Sequence, residues 1–64
     1  MLTNSRDIIR RLEREGWRLV RVKGSHHQFK NPATGRRVTV PHPRKDITVG
    51  TVHSIYHDAG WAKD

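Results

Sequence analysis

A chain of 64 residues, 33% hydrophobic and without cysteine, has room for one domain (residues 1–64) with one small core and no disulfide framework to support it. Its 13 Lys and Arg against 6 Asp and Glu leave a formal charge of +7, spread from Arg6 to Lys63; that exceeds what solubility requires and favours an anionic partner. No apolar run approaches a membrane span, no basic amphipathic helix is long enough for a surface anchor, and the opening MLTNSRD lacks the apolar stretch of a secretory signal, so the expectation is a cytoplasmic protein that binds nucleic acid.

In TNSRDIIRRLEREGW, Ile8, Ile9 and Leu12 form one stripe at helical spacing, while Arg10, Arg11, Arg14 and Glu15 face away. Asn4 or Ser5 can accept from the free N–H groups at the start. Asp7 suits the positive end of the dipole, Gly16 supplies a left-handed stop, and Trp17 can fold back on Leu12.

The period then changes from 3.6 to 2. WRLVRV, HHQFKN and RRVTV mix β-branched or aromatic residues with polar ones, and each is bounded by turn chemistry. Lys23-Gly24-Ser25 is the first turn and Asn31-Pro32-Ala33-Thr34-Gly35 the second, short connections that imply an antiparallel meander. Pro41 and Pro43 cannot donate to a ladder, so PHPRKD ends the third strand.

TVGTVHSIYHDAGW closes the chain as a second helix, with Thr48 as its cap and Val49, Val52, Ile55 and Ala59 as the buried stripe. Gly60 stops it, and Trp61 can fold back on Tyr56. The fold class is α+β in the order α-β-β-β-α, a three-stranded antiparallel sheet with two helices on one face.

Strand alternation places His27 and Phe29 on one face of the second strand and His26, Gln28 and Lys30 on the other. Phe29 is the only large apolar residue there, so its face belongs under the helices and His26 points outward. If Val38 and Val40 point to the core, the neighbours of His26 on that open face are Arg37 and Thr39 from the third strand. For the first strand the face is ambiguous, because Trp17 and Leu19 compete with Val20 and Val22 for burial. Lys23 lies close to His26 under either choice.

From spacing alone, His26 reads most simply as a solvated strand residue and His27 as a partly buried ring beside Phe29. Yet an exposed imidazole titrates near neutrality and can both accept and donate a proton. Cations around it attract phosphate and stabilise charge building up at phosphorus. Those are the needs of RNA cleavage without a metal: a base for the 2′-hydroxyl and positive groups to hold the pentacoordinate phosphate. Gly24 lets a phosphate approach the backbone.

The remaining candidates point to simpler roles. His53 and His57 stand four apart on the last helix, but neither cysteine nor an HExxH glutamate completes a zinc set, so no metal or other cofactor is expected. His42, fixed between two prolines, either lines the same basic groove as His26 or contacts only water. Asp46 fits a local turn or cap. Ser25 lacks the context of a nucleophile elbow, and neither a Walker motif nor a dinucleotide fingerprint is present.

GWRLVRVKGSHHQFKN, followed by VTVPHPRKDITVGTV and ending SIYHDAGW, resembles the HicA family of toxins from bacterial toxin–antitoxin pairs, from about Ser5 to Trp61. The resemblance implies a fold like the double-stranded RNA-binding domain, mRNA cleavage, and a catalytic histidine in the G-S-H motif, which falls on His26 with Gly24 as its glycine. It also implies a HicB-type antitoxin that covers the active site. Charge and parity add Lys23, Lys30 and Arg37 as phosphate-binding candidates beside Gly24 and Ser25. The resulting expectation is a metal-independent endoribonuclease acting on single-stranded or locally unpaired mRNA, with a non-catalytic RNA-binding module of the same fold as the alternative.

Overall fold

The computed structural model describes residues 1–64. The elements run α1 (Ser5–Arg14), β1 (Arg18–Lys23), β2 (His26–Lys30), β3 (Arg37–Pro41) and α2 (Val49–Ala59). The strands form one antiparallel sheet in the order β1-β2-β3, so the α-β-β-β-α arrangement is the one expected. No helix is long and apolar enough to cross a membrane.

Asn4, not Ser5, caps α1: its side chain accepts the Arg6 N–H at 2.9 Å. Both helices end alike. Gly16 (φ 90°) and Gly60 (φ 76°) take the left-handed conformation, and the following tryptophan amides return to Leu12 O at 3.0 Å and Tyr56 O at 2.9 Å. This closes free carbonyls of each last turn and turns both indoles into the core.

The core is one cluster: Ile8 and Leu12 from α1, Trp17, Phe29 from β2, Val38 and Val40 from β3, Ile47, then Val52, Ile55, Tyr56 and Trp61. Alternation explains the sheet's share, since Phe29 pairs with Val38 and His27 with Val40, all on the helix side. No residue of β1 contributes. The helices lie over β2 and β3, and β1 is exposed along its whole length. The competition for burial in the first strand therefore resolves in favour of Trp17, just outside the strand, while Leu19, Val20 and Val22 each remain about half exposed.

Two further expectations need correction. Val49 does not join the buried stripe of α2; it is 67% exposed. Ile47 is buried instead. With Thr48 as the cap, Ile47 and Val52 occupy the two positions of a hydrophobic staple, which fixes the entry of the chain and leaves Val49 in the first turn facing water. Nor do Arg11 and Glu15 face away. Trp61 Nε1 donates to Glu15 Oε1 at 2.7 Å, Arg11 Nε bonds Glu15 Oε2 at 3.0 Å, and the Arg11 guanidinium stands 4.1 Å from the Trp61 ring centroid. The two helix C-termini are joined through this contact.

Candidate active site at the β1–β2 hairpin

The β1–β2 turn is the shortest the sheet has. Lys23 pairs directly with His26, which leaves Gly24 and Ser25 as a two-residue loop. Gly24 has φ 58° and no other residue type has positive φ, the sign pattern of a type II′ turn with glycine at its first central position. A Cβ on Gly24 would meet nothing within 4 Å, so conformation alone requires glycine here and the space beside its backbone is open.

Pairing then decides what surrounds His26. The ring is exposed; its cross-strand partners are Lys23 on β1 and Pro41 on β3. Thr39 sits diagonally, opposite Gln28. Arg37 is not a neighbour, as parity alone suggested: the antiparallel register pairs it with Lys30, four strand positions and roughly 13 Å from His26. The candidates thus divide into a near group, His26, Lys23, Gly24 and Ser25, and a far group, Lys30 and Arg37. All lie on or border the open face of the sheet.

His27 and His42 belong to the other face. Their rings meet edge to face at 5.0 Å between centroids, and His42 Nδ1 lies 2.7 Å from the buried Ser5 Oγ. Of the two readings of His42, neither describes it: the ring is half-buried on the helix side. Its backbone nonetheless reaches the hairpin, because His42 N donates to Ser25 O at 2.8 Å. The end of β3 is thereby fastened to the residue preceding His26.

His53 and His57 border a shallow hollow on α2 with Ser54, Asp58 and Lys63. No group of three or more His, Asp or Glu side chains is placed to hold a metal ion. Asp46 is exposed and follows the β3 exit without approaching any imidazole within hydrogen-bond range.

Sequence reasoning found Lys23 but missed the other two cations of β1. Its register slips between Leu19 and Arg21, a bulge at Val20 that places Arg18, opposite Lys30, and Arg21, opposite Gln28, on the same open face as Lys23. No acidic residue occurs between Glu15 and Asp46, and the only ion pairs in the molecule are Met1 with Asp64 and Arg11 with Glu15. The cations of the open face are therefore unneutralised.

The family model for the HicA toxin of bacterial toxin–antitoxin covers residues 5–61, from the first residue of α1 to the tryptophan that closes α2. No curated protein matches the chain.

Proposed function

The chain belongs to the HicA toxin family of bacterial toxin–antitoxin systems, and from that membership and the surroundings of His26 we propose that it is an endoribonuclease that cleaves mRNA with His26 as its base. The observation that carries this reading is the Lys23–His26 pair: an exposed imidazole with an ammonium group opposite it and an open glycine turn beside both.

The arrangement supports one sequence of events. A phosphate settles against Lys23 and the backbone at Gly24 and Ser25, which brings the adjacent ribose to His26. The imidazole takes the proton of the 2′-hydroxyl, and the 2′-oxygen forms a bond to phosphorus. Lys23 faces the charge that accumulates on the phosphoryl oxygens. The P–O5′ bond then breaks, the leaving 5′-oxygen takes a proton from solvent, and a 2′,3′-cyclic phosphate remains. The sequence draws only on groups of the chain, the RNA and solvent, so cleavage is expected to persist in EDTA. The toxin role carries with it an antitoxin partner; a HicB-type antitoxin that covers the His26 side of the sheet is the form of inhibition this site supports.

The test is incubation of labelled RNA with the wild-type protein and with His26→Ala, the fold of each checked by circular dichroism. The reading expects fragments from the first only, and none from a substrate carrying a 2′-deoxy sugar at the cleaved position. Cleavage by a folded His26→Ala protein overturns it. A mobility shift without fragments from the wild type means an RNA-binding module in place of an enzyme.

A further inference from the structure

We propose that the open face of the sheet is a track for a single RNA strand, along which the bulge-aligned cations Lys23, Arg21 and Arg18 hold successive phosphates between His26 and a distal subsite formed by Arg18, Lys30 and Arg37. The proposal rests on the reading that the substrate is RNA.

Arg18, Arg21 and Lys23 lie three and two residues apart, and in a regular strand of period 2 Arg18 must point away from the other two. The register shift between Leu19 and Arg21 removes that conflict. Arg18 pairs with Lys30, Arg21 with Gln28 and Lys23 with His26, so all three cations emerge beside open-face residues of β2. Bulges re-aim side chains in this way near functional sites. The result is a row of positive charge that runs beside β2 from the candidate base to the far end of the sheet, roughly 13 Å away.

The far end has shape as well as charge. Arg18, Val20, Lys30 and Pro32 line a hollow of about 250 Å³, with Arg37 paired to Lys30 at its side. Two cations over a floor of Val20 and Pro32 suit a phosphate and the sugar next to it. The bulged residue itself supplies part of that floor.

The geometry selects the strand type. The row follows β1, and β3 adds only Arg37, so it meets one backbone; a duplex presents two across a groove and is gripped over a much longer span. Phe29 and the neighbouring Trp17 are buried, so beyond the His26 imidazole at its near end the row has no ring on which to stack bases. The track therefore reads charge and not sequence.

The experiment is a salt titration of RNA binding in the full chain carrying His26→Ala, which prevents turnover. Three proteins are compared: that background, a sheet variant with Arg18→Gln, Lys30→Gln and Arg37→Gln added, and a charge-matched control with Arg6→Gln, Arg10→Gln and Arg14→Gln on the exposed side of α1. Each phosphate that the protein no longer neutralises lowers the log–log salt slope on single-stranded RNA by about 0.7, so the sheet variant, which loses the phosphate of the distal subsite, is expected to show a slope shallower by about 0.7. The control should change markedly less, oligo(U) and oligo(A) should report the same shift, and a duplex of equal length should bind more weakly than the single strand. An unchanged slope in the folded sheet variant overturns the track, as does a larger change in the α1 control or tighter binding of the duplex. If the sheet variant keeps its RNA slope but no longer binds an antitoxin, the row serves an acidic protein surface and the track is wrong. Absence of RNA binding by the background protein itself is a different result, since it removes the RNA reading altogether.

Discussion

Ser5 Oγ stands 2.7 Å from His42 Nδ1 and accepts the Arg44 N–H at 2.9 Å, so one hydroxyl ties the first turn of α1 to the segment that leaves β3. A serine hydroxyl carries one hydrogen and two acceptor lone pairs, so Oγ can serve the Arg44 N–H and the His42 ring at the same time. Ser5→Ala removes both bonds at once in a site where Ser5 is 1% exposed. A loss of about 1 to 2 kcal/mol is expected from the stranded partners. For a domain of this size each kcal/mol corresponds to about 4–8 °C in Tm. Thermal denaturation measures it, and a melting point equal to that of the wild type means that the pin carries no stability.

Leu19 and Phe29 form a cross-strand pair on the helix side of the sheet, yet they differ sharply in burial, at 50% and 2% exposed. The same truncation should therefore have very unequal consequences at the two positions. Phe29→Ala empties the centre of the only core the chain has and costs about 3–5 kcal/mol, a large part of the stability of any small domain. Leu19→Ala removes a side chain already half in water and is expected to cost less than about 1 kcal/mol. Chemical denaturation midpoints decide the matter. Comparable losses at the two positions mean that β1 is packed in solution as tightly as β2.

That contrast also marks where the sequence could be read and where it could not. Phe29, Val38 and Val40 announced the buried face, because each strand offered one apolar set and alternation left one choice. In β1 the pattern offered two, and no parity argument works across a bulge that adds a residue at Val20. The cations at Arg18 and Arg21 thus stayed outside the candidate site. Parity puts His26 on the open face, where the ring is indeed exposed, but its distance from Arg37 depends on antiparallel register, which turn length fixes and composition does not. Ile47 was hidden for a similar reason. It precedes the cap of α2 and its burial follows from the staple geometry, whereas helical periodicity alone pointed to Val49.

Trp61 contributes more than apolar area. Its indole N–H bonds Glu15, its ring receives the Arg11 guanidinium, and it meets Tyr56 edge to face at 5.1 Å between centroids. Trp61→Phe preserves an aromatic ring but removes the bond to Glu15, for an expected loss of about 1 kcal/mol beyond the smaller buried area. Glu15→Gln is the informative companion, since it keeps an acceptor for the indole while removing the charge that pairs with Arg11. Its effect is expected to be smaller than that of Trp61→Phe. The reverse order in thermal denaturation assigns the contact to charge in place of the hydrogen bond.

Gly24 links stability to chemistry at the site. At φ 58° an alanine incurs the left-handed penalty of about 1–2 kcal/mol, while the space where its Cβ would sit is empty, so the domain still folds. The strain falls on the turn that holds Lys23 opposite His26, and the added methyl stands where a phosphate is expected to approach the backbone. Gly24→Ala should therefore lower RNA cleavage, measured well below its melting point, by more than the population of unfolded chain explains. Gly35 provides the comparison: it has φ 75° and equally open surroundings, but lies in the β2–β3 loop at the far end of the sheet. Gly35→Ala carries a similar conformational penalty without touching the His26 turn. If the two variants lose stability and cleavage in equal proportion, the β1–β2 turn acts only as a connection; a selective loss at Gly24 ties its backbone to substrate binding.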